Sequence, residues 1–320
     1  MDHRELGRSG LRIPPIVFGG NVFDWTADKP TSHRLLDRMV QAGLTAIDTA
    51  DIYSSWAPSH SGGESETVIG EWLAATGKRD EVVVMTKLGG PIDGAKGLHP
   101  DRIPQAAEAS LKRLRTDRID LYQSHFDDPE VPLADTLGAL ARLIEQGKVR
   151  AIGASNYTAE RLREALHASA AHNLPRYESL QPHYNLVERD FERDLGPLCL
   201  EQQIGVIPYF SLAAGFLTGK YRTKSDTEGR ARGGNVAKYL DERGLGILSA
   251  LDDIAADLDA TQAEVALAWL IAQPGVTAPI ASATSLDQLE TLIRAATLTL
   301  PELALTRLNA LDQAGSASLT

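Results

Sequence analysis

Cysteine is almost absent, with Cys199 the only one in 320 residues. It can form no intrachain disulfide and no cysteine-rich zinc site, and this usage fits a reducing compartment. Long apolar runs are also missing: nowhere do eighteen apolar residues follow one another, so no membrane span is expected. The opening stretch, MDHRELGRSGLRIPP, is charged and lacks the apolar core of a signal peptide. The expectation is a cytoplasmic protein. Positive charge is in deficit, and a formal net charge of −11 leaves no basic footprint for nucleic acid. The eight histidines show neither H-x-H nor H-E-x-x-H spacing. Only HFDD at 125–128 could group an imidazole with two carboxylates, a thin site for a metal-dependent hydrolase, and no metal centre is expected. A Gly-rich dinucleotide fingerprint after the first apolar run is lacking too, which disfavours a doubly wound sheet.

What the chain does have is alternation. Eight short apolar runs, at 15–20, 44–50, 81–90, 118–126, 149–156, 179–185, 204–210 and 275–282, are flanked by turn residues and are too short for helices. Between most of them lie segments of helical spacing, such as HRLLDRMVQAGL with Leu35, Leu36, Met39 and Val40 on one face. SETVIGEWLAATG repeats the pattern and ends at Gly77, as a helix C-terminus does. Strand–helix alternation on this scale predicts a closed (β/α)8 TIM barrel formed as one domain over residues 1–320. Three stretches fall outside the repeat. RELGRSGLRIP predicts an N-terminal hairpin across the barrel floor. The long loop after strand seven, 210–240, exceeds what an idle connection needs. Extra helices follow it at 242–258 and 261–273, and PELALTRLNALDQ reads as a final helix.

In such barrels chemistry sits at the C-terminal ends of the strands. Strand two ends in Asp48, with Tyr53 on the loop beyond; strand three ends in Lys87, strand four in His125. Ser155 and Asn156 end strand five, Gln181 lies in strand six and Tyr209 ends strand seven. Adjacent strands run roughly 5 Å apart, so the first four of these residues can meet. A phenol is a poor acid at neutral pH, and a neighbouring ammonium favours its ionisation. Asp48 would hold Lys87 charged, and His125 would orient a substrate oxygen. Tyr53 then becomes an acid/base facing a carbonyl or alcohol. The chain carries no activated serine or catalytic cysteine, so a hydride-carrying cofactor is the natural complement. Phe23 and Trp25 after strand one, with Trp56 beside Tyr53, could wall a small-molecule pocket.

These residues stand in stretches that resemble the aldo-keto reductase superfamily over nearly the whole chain. The carriers are LGRSGLRIPPIVFGG, IDTADIYSS, GGESETVIGEWL, TKLGG, DLYQSHFDDP, VRAIGASNY, LQPHYNLVERDFE, YFSLAAGFLTGKYR and PIASATSLDQLE. The resemblance implies a barrel oxidoreductase dependent on NAD(P)(H), with Asp48, Tyr53, Lys87 and His125 as its catalytic tetrad. It implies that Ser155, Asn156 and Gln181 hold the nicotinamide carboxamide and that Tyr209 stacks on the nicotinamide. Ser211, Leu212, Gly215 and Lys220 would line the pyrophosphate. After strand eight, Ser282 and Thr284 stand where relatives often place a cation for the 2′-phosphate, while Gln288 is kept and Leu292 falls about where an Asn is expected. NADP(H) is favoured on the family pattern, with NAD(H) the alternative. The same fold also serves as a cofactor-binding regulatory subunit of potassium channels, and turnover of a generic aldehyde would separate the two. Substrate, reaction direction and oligomeric state stay open.

Overall fold

Backbone pairing closes the predicted strands into a ring. The computed structural model describes residues 1–92, 94–230 and 232–311. A short antiparallel hairpin, β1 (Arg4–Glu5) and β2 (Arg12–Ile13), precedes the ring. The barrel strands are β3 (Val17–Gly19), β4 (Ala46–Asp48), β5 (Val83–Leu88), β6 (Ile119–Ser124), β7 (Val149–Ser155), β8 (Ser179–Gln181), β9 (Gly205–Val206) and β10 (Ile280–Ala281), all parallel to their neighbours. β10 pairs with β3, and the run leading into β10 closes on β9. The Thr277 N–H donates to the Val206 carbonyl at 2.8 Å, and the Ile280 N–H to the Pro208 carbonyl at 2.8 Å.

The helices outside this ring are α1 (Lys29–Gln41), α2 (Glu64–Thr76), α3 (Arg102–Leu114), α4 (Leu133–Glu145), α5 (Ala159–His172) and α6 (Leu195–Gln202). Beyond β9 come α7 (Gly233–Val236), α8 (Glu242–Asp257), α9 (Gln262–Ala272), α10 (Leu286–Ala295) and α11 (Glu302–Ala310). Their ends follow local chemistry. Asp28 caps α1 by accepting from the Thr31 N–H, and Thr261 with Glu264 forms a capping box on α9. Helix α6 has no counterpart in the sequence reading, because eight residues are too few for a clear period. The expected final helix is α11; Asp312 and Gln313 of that expectation lie outside the described residues, as does the end of the 1–320 span. The 210–240 stretch is built from short helical turns, Ala213–Thr218, Lys224–Thr227, α7 and Ala237–Tyr239. No helix among the described residues is long and apolar enough to cross a membrane.

Strand periodicity sorts the barrel into layers. Val17, Ala46, Met85, Leu121, Ala151, Ile207 and Ala278 form one apolar cluster with Leu6, Leu11 and Ile13 of the hairpin, which plugs the floor. Gly7 in the hairpin turn has φ +57°, and a Cβ there would sit 2.1 Å from the Glu178 carbonyl, so glycine is required. Outward residues such as Val84, Tyr122, Ile152 and Leu180 pack beneath the helices. Two residues further along the inner face, Met85 gives way to Lys87, Leu121 to Gln123 and Ser179 to Gln181. The closed floor thus leaves a polar layer at the C-terminal end, which is where the site forms.

Candidate active site

Lys87 is fully buried at the end of β5, paired in register with Gln123 on β6. A buried ammonium is costly unless each donor finds a partner, and Lys87 finds three. Its Nζ lies 2.7 Å from Asp48 Oδ2, 2.8 Å from the Thr49 carbonyl and 2.8 Å from Tyr53 Oη. Asp48 is equally well held: its Oδ1 accepts from Gln123 Nε2 at 3.2 Å and from Gln181 Nε2 at 3.0 Å. Burial alone would lower the Lys87 pKa, yet Asp48 and Tyr53 hold it above its ordinary value. Gln123 belongs to this network although the sequence reading passed over it. The available signal was strand parity, since Leu121, Gln123 and His125 share one face.

Tyr53 receives the Lys87 hydrogen bond and lies 3.5 Å from Asp48 Oδ2. Desolvation pushes its phenol up to about 12; Lys87 pulls it down and Asp48 pushes it up. The ammonium therefore acts in the expected direction but does not overcome burial, and the phenol is a neutral donor at physiological pH. His125 sits edge-on to Tyr53, with ring centroids 6.0 Å apart, and stacks on Phe126 at 4.5 Å. Burial, with Lys87 adding to it, holds the imidazole well below its usual range, so it is neutral. Its Nδ1 is buried without a hydrogen-bond partner among the described residues. Placing the proton on Nε2 leaves only a lone pair unsatisfied there.

Asp48, Tyr53, Trp56 and His125 open onto one cavity of about 920 Å³, near the upper end of the ~300–1,000 Å³ usual for small-molecule and cofactor sites. Ser155, Asn156, Gln181, Tyr209, Leu212, Gly215, Lys220, Ser282, Thr284, Gln288 and Leu292 line it as well. Lys87 stands behind Tyr53 and does not reach the lining. Asn156 takes a left-handed φ of +58° and bridges strands: its Nδ2 donates to the His125 carbonyl at 2.9 Å, and its Oδ1 accepts from Tyr209 Oη at 2.7 Å. Tyr209 in turn stacks on His183 at 5.3 Å. Ala213, Ala214 and Gly215 follow one another at positive φ of +48°, +59° and +100°. Such strain in two alanines costs roughly 1–3 kcal/mol each and gathers at ligand sites.

Several expected contacts are arranged differently. Ser211 is buried and gives its hydroxyl to the Ile280 carbonyl at 2.8 Å, tying β10 to the segment after β9 instead of lining the cavity. Ser282 Oγ donates to Asn21 Oδ1 at 2.7 Å, a partner absent from the sequence reading. Thr284 gives both N–H and hydroxyl to Gln288 Oε1, at 2.9 and 3.1 Å. Arg294 is spent on Glu264 at 2.6 Å. Phe23 is fully buried against Phe18, so it belongs to the core and walls no pocket. Trp25 stands behind Trp56, edge-on at 5.5 Å. Of the HFDD stretch, Asp127 pairs with Arg161 at 2.8 Å and Asp128 accepts from the Leu98 N–H at 2.8 Å.

A parallel eight-stranded barrel with a tyrosine, lysine, aspartate and histidine gathered at one mouth defines a class of protein, and comparison with known proteins agrees. The model of the Aldo/keto reductase family matches residues 15–313. Protein tas of Escherichia coli (strain K12) is 32% identical, with 98% of each chain covered. The Uncharacterized oxidoreductase YrpG of Bacillus subtilis is 33% identical over 97% of this chain and 95% of its own. A Putative voltage-gated potassium channel subunit beta of Schizosaccharomyces pombe is 31% identical over 91% of this chain and 87% of its own. The chain belongs to the aldo/keto reductase family.

Proposed function

We propose that the protein is a cytoplasmic, single-domain oxidoreductase that interconverts a small-molecule carbonyl and its alcohol with a nicotinamide dinucleotide, Tyr53 serving as acid in reduction and base in oxidation. The observation that carries this is the placement of Lys87 Nζ within 2.8 Å of both Tyr53 Oη and Asp48. Lys87 fills one lone pair of the Tyr53 oxygen, and the phenol O–H, which donates only a long 3.5 Å bond to Asp48 Oδ2, can turn to a substrate oxygen in the cavity. A carbonyl oxygen between Tyr53 and His125 receives two hydrogen bonds, from the phenol and from Nε2–H. As charge develops on that oxygen, the Tyr53 proton passes to it and Lys87 stabilises the phenolate left behind.

The cofactor, when bound, supplies or accepts the hydride. The donor set suits it: the ring of Tyr209 offers a stacking face, Asn156 and Gln181 present amides, and the left-handed run at 213–215 turns small residues toward the cavity. Lys220 and Arg230, both on the lining, bring positive charge for its phosphates. NADP(H) is favoured over NAD(H), although no cation stands at Ser282 or Thr284. Parallel titrations with NADPH and NADH, followed by quenching of the four tryptophans, test the reading; binding of neither would sink it. A second reading, a cofactor-binding regulatory subunit, is favoured only by the likeness to the channel beta subunit. It predicts tight NADPH binding with no aldehyde turnover above that of Tyr53→Phe.

A further inference from the structure

Three cations line the cavity, Lys220, Arg230 and Arg232, and of these Arg232 acts on the phenol of Tyr53. The side chain of Arg232, just before α7, lines the cavity and makes no hydrogen bond or ion pair with the described residues. Elsewhere in the segment, Arg222 holds Asp252 in a fork at 2.8 and 2.9 Å, Arg230 acts on Asp226 and Lys220 lies over the Tyr221 ring at 5.0 Å. The groups that sense the Arg232 charge are the phenols of Tyr221 and Tyr53. Its guanidinium carbon lies 5.5 Å from the centroid of Trp25, which meets Trp56 edge-on at 5.5 Å, and Trp56 meets Tyr53 at 5.9 Å. The cation therefore sits on the same wall as the acid/base tyrosine, held over an indole in the way guanidinium groups stack.

Two large apolar faces flank the same mouth. Trp56 is 47% exposed beside Tyr53, and Phe126 is 42% exposed against His125. Exposed aromatics on a concave rim mark a ligand surface more often than an idle one. Around Tyr53, Asp48 and Lys87 neutralise one another and His125 is uncharged, while Lys220 and Arg230 line the stretch assigned above to the cofactor phosphates. Arg232 is left as a half-buried, incompletely solvated positive charge with a planar donor fork open to a ligand. A carboxylate satisfies such a fork through two parallel hydrogen bonds.

Resting on the oxidoreductase reading above, we infer that the substrate is an anionic carbonyl compound. Its flat apolar body lies against Trp56 and Phe126, its carbonyl meets Tyr53 and His125, and its carboxylate pairs with Arg232. Arg232 is thus a specificity-determining residue for the charged end of the substrate.

The test compares 4-carboxybenzaldehyde with its neutral methyl ester, methyl 4-formylbenzoate, in wild type, Arg232→Gln and Arg232→Lys. In wild type the acid should have at least about tenfold the kcat/KM of the ester, with the difference in KM and shrinking as salt screens the charge. Arg232→Gln should abolish that ratio, and Arg232→Lys should restore part of it. An acid-to-ester ratio near one in wild type overturns the inference while leaving the oxidoreductase reading intact. So does an unchanged ratio in Arg232→Gln with a tenfold weaker Kd for NADPH, which would assign Arg232 to a cofactor phosphate. If wild type binds NADPH and turns over neither aldehyde, the oxidoreductase reading fails separately. Terephthalate binding to the NADPH complex, read by tryptophan fluorescence, then decides the anion site. Loss of that binding in Arg232→Gln supports the site, and no binding in wild type overturns it.

Discussion

Lys87 touches Tyr53 and Asp48 at once, at 2.8 and 2.7 Å, from a position wholly shut off from solvent. One ammonium thus orients the phenol and neutralises the carboxylate. Removing Tyr53 and removing Lys87 should therefore fail in different ways. Tyr53→Phe keeps the Asp48–Lys87 pair and should lower kcat by roughly 10²–10⁴-fold, with Kd for NADPH within a factor of two and Tm nearly unchanged. Lys87→Met leaves a buried carboxylate without its counter-ion and should cost roughly 3–5 kcal/mol of stability as well as activity. Urea unfolding of both variants beside the double variant Asp48→Asn/Lys87→Met checks this, since the double variant should recover much of the loss.

The pH profile of carbonyl reduction should carry no basic limb from Tyr53 in the ordinary range. Reduction needs the protonated phenol, and its pKa is pushed up to about 12, so the active form persists as pH rises. His125, held well below its usual value by burial, is already neutral and loses nothing on going from pH 8 to 10. The kcat/KM of wild type should stay level over that interval. A fall of more than threefold there would contradict the assignment of the neutral phenol as the acid.

Asp51 supplies a separate pH effect, on stability. It is 1% exposed, neither carboxylate oxygen has a well-formed hydrogen bond among the described residues, and burial followed by repulsion from Glu66 pushes its pKa up to about 7, against a weak opposing pull from the Ile52 N–H. Arg102 and Arg113 oppose the rise, and Tyr122 faces the same cluster. Because the folded pKa exceeds the unfolded value, the folded state holds the extra proton. The associated stabilisation is complete below about pH 4 and is lost as pH rises through 7. Asp51→Asn cannot ionise, so it should raise Tm by a few degrees at pH 8 relative to wild type and change it little at pH 4. Equal effects at both pH values would show that Asp51 is not protonated in the folded protein.

The cofactor preference can be strengthened at Thr284 without breaking a bond between strands. Ser282 also lines the cavity, but its hydroxyl is committed to Asn21 Oδ1 at 2.7 Å, a bond that a substitution there would lose. Thr284 faces the cavity beside Gln288. Thr284→Arg should tighten NADPH at least about tenfold through a charge-assisted hydrogen bond and leave NADH unchanged. Parallel fluorescence titrations measure it, and equal tightening of both dinucleotides would place the 2′-phosphate elsewhere.

The order of elements was legible in the chain because its signals are local. Short apolar runs, helical stripes and caps such as Asp28 and Thr261 depend on residues a few positions apart. Asp48, Lys87 and His125 were readable as strand-end residues for the same reason, since strand parity points them inward. Packing was not legible. Phe23 looks like a pocket wall in sequence, but stacking on Phe18 draws it into the core. Ser211 looks like a phosphate ligand, yet the approach of β10 claims its hydroxyl. Gln123 carries no motif of its own and becomes part of the site only when β6 lies beside β5 in register.

By itself the sequence determined the order of elements that closes into the barrel and put Asp48, Lys87 and His125 at strand ends with Tyr53 just beyond, because these follow from periodicity. Only the tertiary structure decided which hydrogen bonds the quartet makes, which way burial moves the Tyr53 and Asp51 protons, and that Arg232 lies over Trp25 with no ion pair among the described residues. Residues 53 and 232 lie far apart in the chain, and the desolvation and charge acting on them come from whatever the closed barrel brings within a few ångströms.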